Sequence, residues 1–190
     1  MQKSPPQSRP MLQFLDRLHG DVTYRASASH SLAAKTFHWG FILLFVYALT
    51  KQLDELEELE DAALLQFEMV FASIFLAVVV VRFLFMRFTQ PSVLPAVAPT
   101  NVRRLAALGH LGMYAGIAGI AASGLAIGTL YGGGTKSGFA IEAFLLMHEI
   151  CVNGTYTLIV LHIAAALYHR RLRDGIWDAM VPFWKERSSD

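Results

Sequence analysis

Four long apolar segments, almost free of charged residues, constrain this chain more than any other feature. A helix that crosses a bilayer needs about 20 mostly apolar residues, and residues 31–49, 62–85, 105–130 and 144–167 all meet that requirement. Charged residues are only 16% of the chain, and they collect between these segments. The pattern predicts an all-α integral membrane protein, a bundle of four transmembrane helices.

The distribution of lysine and arginine predicts the orientation of the bundle. Both terminal regions and the second connection are rich in these residues, whereas the first connection is acidic and the third carries a single lysine. Because cytoplasmic loops are enriched in positive charge, we expect both termini in the cytoplasm. The expected organisation is a cytoplasmic arm (1–30), a transmembrane domain (31–182) and a cytoplasmic tail (183–190). The net charge of +1 gives no indication of nucleic-acid binding.

Histidines within the predicted spans indicate function, since ionisable groups in a membrane are costly and usually have a role. His148 and His162 lie on the fourth span, 14 residues apart, which corresponds to about 21 Å of helix rise. Fourteen residues are close to four turns, so both side chains share one face. One helix thus offers an imidazole near each membrane surface, as stacking two haems across a bilayer requires. Paired imidazoles suit haem iron in electron transfer.

The order and spacing of several short motifs resemble the prokaryotic cytochrome b561 family, which includes superoxide oxidases and hydrogenase-type cytochrome b subunits. The resemblance covers residues 35–182. The motifs that carry it are Phe37-His38-Trp39, residues 80–84 (VVRFL), Gly109-His110-Leu111, His148-Glu149 and residues 161–167 (LHIAAAL).

The resemblance implies ligands for haem b. In the family pattern, the histidine of helix one and the deeper histidine of helix four hold the inner, cytoplasmic-side haem, which gives His38 and His162 here. The outer haem uses the first histidine of helix four, here His148, with a histidine near the outer start of helix two. This chain departs from that pattern, because Glu68 occupies the expected position and helix two has no histidine.

Four interpretations of the outer site stay open. The outer haem is absent and Glu68 forms a hydrogen-bonded or ionic pair with His148; Met69 is the second ligand; or His148 is the only protein ligand. In the fourth, Glu68 or a partner chain supplies the ligand. The resemblance therefore implies one haem b firmly and leaves the second open.

Residues near the predicted inner haem and the cytoplasmic surface have further candidate roles. His110 and Lys35 are candidates for contacts around the haem, including its propionates, with simple helix anchoring as the alternative for His110. His169 and Arg170 are candidates for a quinone site, and anchoring at the membrane surface is the alternative. The glycines of the third span predict either close helix packing or a flat surface for a porphyrin.

The function implied is a multi-pass b-type cytochrome of the bacterial inner membrane that transfers electrons between haem and the quinone pool. The acidic run Asp54–Asp61 is either a solvated helix cap or a docking patch for a periplasmic electron-transfer protein. One alternative is a superoxide oxidase, which needs a cationic outer funnel that only Lys51 and Lys136 support. Another is a membrane anchor or electron-transfer subunit of a larger redox complex.

Overall fold

The structure, a computed structural model, is all-helical over the residues it describes, which are 26, 28–51, 55–94 and 98–186. Four helices are long and apolar enough to cross a membrane, which confirms the predicted fold class. Most of the predicted arm (1–30) and residues 187–190 of the predicted tail lie outside the described part. The elements are α1 (Leu32–Leu49), a 3₁₀ helix (Leu56–Glu60), α2 (Ala62–Thr89), α3 (Thr100–Gly132), α4 (Phe139–Leu172) and the short α5 (Ile176–Met180).

Three of the helices extend beyond the apolar segments that predicted them. α3 begins at Thr100 rather than near residue 105, and α4 runs from Phe139 to Leu172 rather than over 144–167. Charged residues such as Arg103 and Arg171 are good helix formers, so the helices continue after the apolar stretch ends. Hydropathy therefore located the spans correctly but underestimated the lengths of three helices.

The glycines of α3 pack against α4. A Cβ atom at Gly119 would lie 2.6 Å from Cys151 Sγ, one at Gly112 would lie 3.0 Å from a Leu158 methyl, and one at Gly116 would collide with the Thr155 side chain. Small residues allow this approach of two backbones. The helix-packing interpretation of these glycines is confirmed.

Two clusters of buried side chains join the helices. Phe75 and Val79 of α2 pack with Ile117 and Ala121 of α3, and α1 reaches this cluster through Phe41, whose ring stacks 5.6 Å from that of Phe75. A second cluster near the loops contains Leu59, Ile127, Tyr131 and Ile141. The α3–α4 and α2–α3 pairs are closely packed along their backbones, whereas α1 approaches its neighbours mainly through long side chains.

The segments that flank the bundle meet at one end, which we call the terminal end. The amide of His30 donates to the Ala179 carbonyl at 3.2 Å, and Trp39 Nε1 donates to the Met180 carbonyl at 3.4 Å. The opposite end, with the 3₁₀ helix and the α3–α4 connection, we call the loop end. Both flanking segments therefore lie on the same side of the bundle.

Candidate haem site

A group of polar side chains from all four long helices lies toward the terminal end, and we call it the inner cluster. It consists of His38, Arg82, His110, Tyr114 and His162. Arg82 is at its centre and only 8% exposed. Its Nη2 lies 2.6 Å from His38 Nδ1, and its Nη1 donates a hydrogen bond to the Tyr114 hydroxyl.

The Arg82–His38 contact fixes the protonation of the imidazole. A guanidinium has only donors, so His38 Nδ1 accepts, and a neutral His38 then carries its proton on Nε2. Iron binds an imidazole nitrogen that is not protonated. His38 can therefore present Nε2 to iron as a neutral ligand only when Arg82 has left Nδ1.

Arg82 also lacks the partner that a buried cation normally has. No described carboxylate lies within ion-pair distance of it, and its buried Nε makes no hydrogen bond. The guanidinium lies over the rings of Phe41 and Tyr114, at 5.3 and 5.4 Å from their centroids. Since buried charges are usually paired, Arg82 fits an anion such as a haem propionate at this position.

His162 and His110 lie side by side in the same cluster. Their ring centroids are 5.3 Å apart, with the rings nearly perpendicular, and His38 is close enough to interact electrostatically with both. His110 Nδ1 lies 2.7 Å from the Ala106 carbonyl, to which it must donate, and this leaves Nε2 unprotonated. The three histidines singled out for the inner site thus belong to one cluster, although the described residues contain no group of three or more histidine, cysteine or acidic side chains placed to hold a metal ion.

His148 lies nearer the loop end and is held by a residue that the sequence did not single out. Ser123 is fully buried and directs its hydroxyl hydrogen to the Gly119 carbonyl, with 2.6 Å between the oxygens. With the hydroxyl hydrogen directed there, Oγ would accept from His148 Nδ1 at 3.0 Å, and that tautomer of His148 leaves Nε2 unprotonated. A serine hydrogen-bonding back to its own helix is common, and nothing in the sequence links it to His148.

The Glu68–His148 pair, one of the four interpretations of the outer site, is not formed among the described residues. No ion pair joins these two described residues, and the imidazole instead contacts Ser123 on α3. Glu68 is half-buried and interacts electrostatically with Lys51, while the neighbouring Met69 sulfur packs against Gly128 of α3. Successive residues on a helix point about 100° apart, so Glu68 does not share the α3-facing direction of Met69.

The two quinone-site candidates have different partners. His169 Nδ1 lies 2.6 Å from the buried Asp174 carboxylate. Arg170 instead lies over the Trp184 ring, 3.5 Å from its centroid. Lys35, a candidate for contacts around the haem, donates to the Asp178 carbonyl at 2.8 Å and so joins α1 to α5.

At the loop end, part of the acidic run has a structural role. Asp61 caps α2 by accepting from the amides of Ala63 and Leu64, as the capping interpretation predicted, whereas Asp54 lies outside the described residues. Glu60 pairs with Lys136 at 2.8 Å, and this lysine lowers the pKa of the Glu60 carboxyl. One of the two cations that supported a superoxide funnel is therefore already paired with a carboxylate.

Comparison with known proteins gives one match. A family model described as prokaryotic cytochrome b561 matches residues 29–183, which contain every residue of the inner cluster. No curated protein and no solved structure gives a significant match.

Proposed function

We propose, because this chain belongs to the prokaryotic cytochrome b561 family, that it is a membrane electron-transfer protein that exchanges electrons between one haem b and the quinone pool. Haem supplies one-electron redox chemistry when bound. The observation that carries the proposal is the inner cluster. Its buried Arg82 has no carboxylate partner among the described residues, contacts His38 of α1 and lies close enough to His162 of α4 to interact with it electrostatically.

His38 and His162 are the residues that would hold the haem. The family pattern pairs them, and they come from different helices, α1 and α4. The hydrogen bonding of His38 adds a condition to this ligation. Arg82 has to release Nδ1 before a neutral His38 can bind iron through an unprotonated Nε2. A propionate is the partner that would draw the guanidinium away, since carboxylate–guanidinium pairs are among the strongest hydrogen-bonded contacts.

His110 has a supporting role in this proposal. Its Nδ1 is anchored to the Ala106 carbonyl, and its ring packs against that of His162. A neighbour held in this way restricts the orientation of the His162 imidazole by packing against it. His148 is ligand-ready at Nε2 but has Glu68 at the partner position, so we propose a single haem.

His169 is the proposed contact for quinone at the terminal end. Asp174 accepts from its Nδ1, so the neutral imidazole has a free Nε2 that can take a proton from a quinol. A carboxylate that holds the other ring nitrogen stabilises the imidazolium so formed. By the positive-inside rule, this end of the bundle faces the cytoplasm, and the membrane is the bacterial inner membrane.

The experiment is quinol oxidation by the full chain in lipid nanodiscs, followed through the absorption of the reduced haem. The wild type should be reduced rapidly. His169→Ala should slow reduction about 100-fold, the range for a lost acid–base group, with the haem spectrum unchanged.

Arg103→Gln, a change at an exposed residue at the same end of the bundle, is the control and should keep the wild-type rate. Equal rates in wild type and His169→Ala would contradict the role of His169. A chain purified without any haem absorption would contradict the cytochrome itself.

A further inference from the structure

The terminal end contains a cavity of about 660 Å³ whose lining includes Arg170, a quinone-site candidate from the sequence that the proposed function does not use. It lies beside the last turn of α4, and neither His169 nor any member of the inner cluster lines it. Its walls are formed by Leu167, Arg170, Arg171, Arg173, Trp184, Lys185 and Glu186.

The charges of this cavity are unbalanced. Four of the lining residues are cations and one is a carboxylate, and none of the four cations forms an ion pair within the described residues. Glu186 pairs with none of them, and one of its oxygens instead accepts from the Gly175 amide at 3.0 Å. The cavity therefore favours an anion.

The walls are held in place by aromatic contacts. The Arg170 guanidinium lies near two indoles, 3.5 Å from the centroid of the Trp184 ring and 5.2 Å from that of Trp177. Trp177 Nε1 donates to the Trp184 carbonyl at 3.1 Å, which fixes the two rings relative to each other. Cation–π contacts of this kind orient the guanidinium and leave its edge free for an anion.

The surroundings of the cavity are those of a membrane surface. Next to it, α4 exposes Leu167 (48%) and Tyr168 (61%), and Trp184 is 67% exposed. Exposed tyrosine and tryptophan at the end of an apolar span mark the level of the lipid headgroups. A cationic cavity thus opens where phosphate groups are concentrated, beside an apolar helix surface that suits acyl chains.

We propose that this cavity binds the phosphate headgroup of an anionic phospholipid, with the acyl chains lying along the exposed surface of α4 at Leu167. Basic pockets at the cytoplasmic ends of transmembrane helices have the chemistry for such headgroups. A free phosphate would use the same cations without the apolar surface, so the two sources can be separated by experiment.

The test is titration of the full, detergent-solubilised chain with short-chain phosphatidylglycerol and phosphatidylcholine, followed by native mass spectrometry. Wild type should retain phosphatidylglycerol in preference to phosphatidylcholine. An Arg171→Gln/Arg173→Gln variant should bind phosphatidylglycerol about 30-fold more weakly, which is the effect of removing two surface charges at about 1 kcal/mol each.

The matched control is Arg103→Gln/Arg104→Gln, which removes two exposed arginines from the start of α3 at the same end of the bundle and should bind like wild type. An equal loss of phosphatidylglycerol binding in both double variants would overturn the proposal, and so would equal retention of the two lipids by wild type. Displacement of phosphatidylglycerol by millimolar inorganic phosphate would assign the cavity to a soluble phosphate and overturn it as well.

Discussion

Nη2 of Arg82 lies 2.6 Å from Nδ1 of His38. Because the guanidinium can only donate, His38 Nδ1 accepts this hydrogen bond, whereas in a metal-binding histidine Nδ1 usually donates one. Histidines that bind metals normally give that hydrogen to a carbonyl or a carboxylate. His110 meets this condition through the Ala106 carbonyl, whereas the Nδ1 partner of His148 is the Ser123 hydroxyl. Under the proposed ligation, His38 would therefore have to exchange its partner on haem binding, and Arg82 would control the exchange.

Replacing Arg82 tests whether its charge acts on the haem. Arg82→Gln should lower the haem midpoint potential, because a nearby positive charge favours the reduced form, which carries one more electron. The expected shift is on the order of 50 mV, equivalent to about 1 kcal/mol of charge interaction. The measurement is a spectroelectrochemical titration of the purified protein.

Arg87→Gln is the control for this shift, since Arg87 lies on the same helix but is exposed. It should leave the potential within a few millivolts of the wild-type value. A similar potential in all three proteins would show that Arg82 does not approach the haem.

The outer site can be tested by restoring the missing imidazole. Glu68→His should raise the haem-to-protein ratio from one to two, because the family pattern places a ligand there and His148 Nε2 is free. Glu68→Gln, which changes the charge without adding an imidazole, should stay at one. A wild-type ratio of two would contradict the single-haem proposal directly, and the double variant Glu68→His/His148→Ala should return the ratio to one.

The close approach of α3 and α4 predicts a large difference between two glycines of the same helix. Gly116→Val should destabilise the protein by about 1–3 kcal/mol, the usual effect of overpacking, because its Cβ would collide with the buried Thr155 side chain. Gly109→Val should have a much smaller effect, since a Cβ there meets nothing within 4 Å. Denaturant unfolding of both variants in detergent gives the comparison. Equal losses of unfolding free energy in the two variants would contradict the packing of α3 against α4.

The fold could be predicted from the sequence because few backbone structures can cross a bilayer. Apolar segments of sufficient length must be helices, and all four appear in the structure. Their ends were harder to predict, since α4 continues through Arg170 and Arg171, where helix propensity persists after hydropathy falls. The small-residue pattern of α3 predicted close packing without showing that α4 was the partner.

The ion pair at the loop end predicts a pH dependence. Lys136 lowers the pKa of Glu60, so the stabilising contribution of the pair is present above the ordinary carboxyl pKa and is lost as the pH falls through the lowered value. Lys136→Gln should return the pKa of Glu60 toward its ordinary value, as measured by carboxyl-carbon NMR. Lys51→Gln is the control and should not change it, and an unchanged Glu60 titration in Lys136→Gln would exclude the pair in solution.

The candidate site could be predicted only in part. Helical periodicity placed His148 and His162 on one face, and both contact α3 in the structure, at Ser123 and His110. The hydrogen-bond partners were not predictable, since they depend on which helices are neighbours. Ser123 and Arg82 act on histidines 25 and 44 residues away in the chain, and no local pattern links residues so far apart.

The haem-to-protein ratio of histidine variants, measured by the pyridine haemochrome assay, tests the ligand assignment most directly. The wild type should hold one haem per chain. His38→Ala and His162→Ala should each hold close to none, while His110→Ala and His169→Ala should hold one. A His162→Ala protein that kept a full haem, or loss of haem in His110→Ala with retention in His38→Ala, would contradict the assignment of His38 and His162.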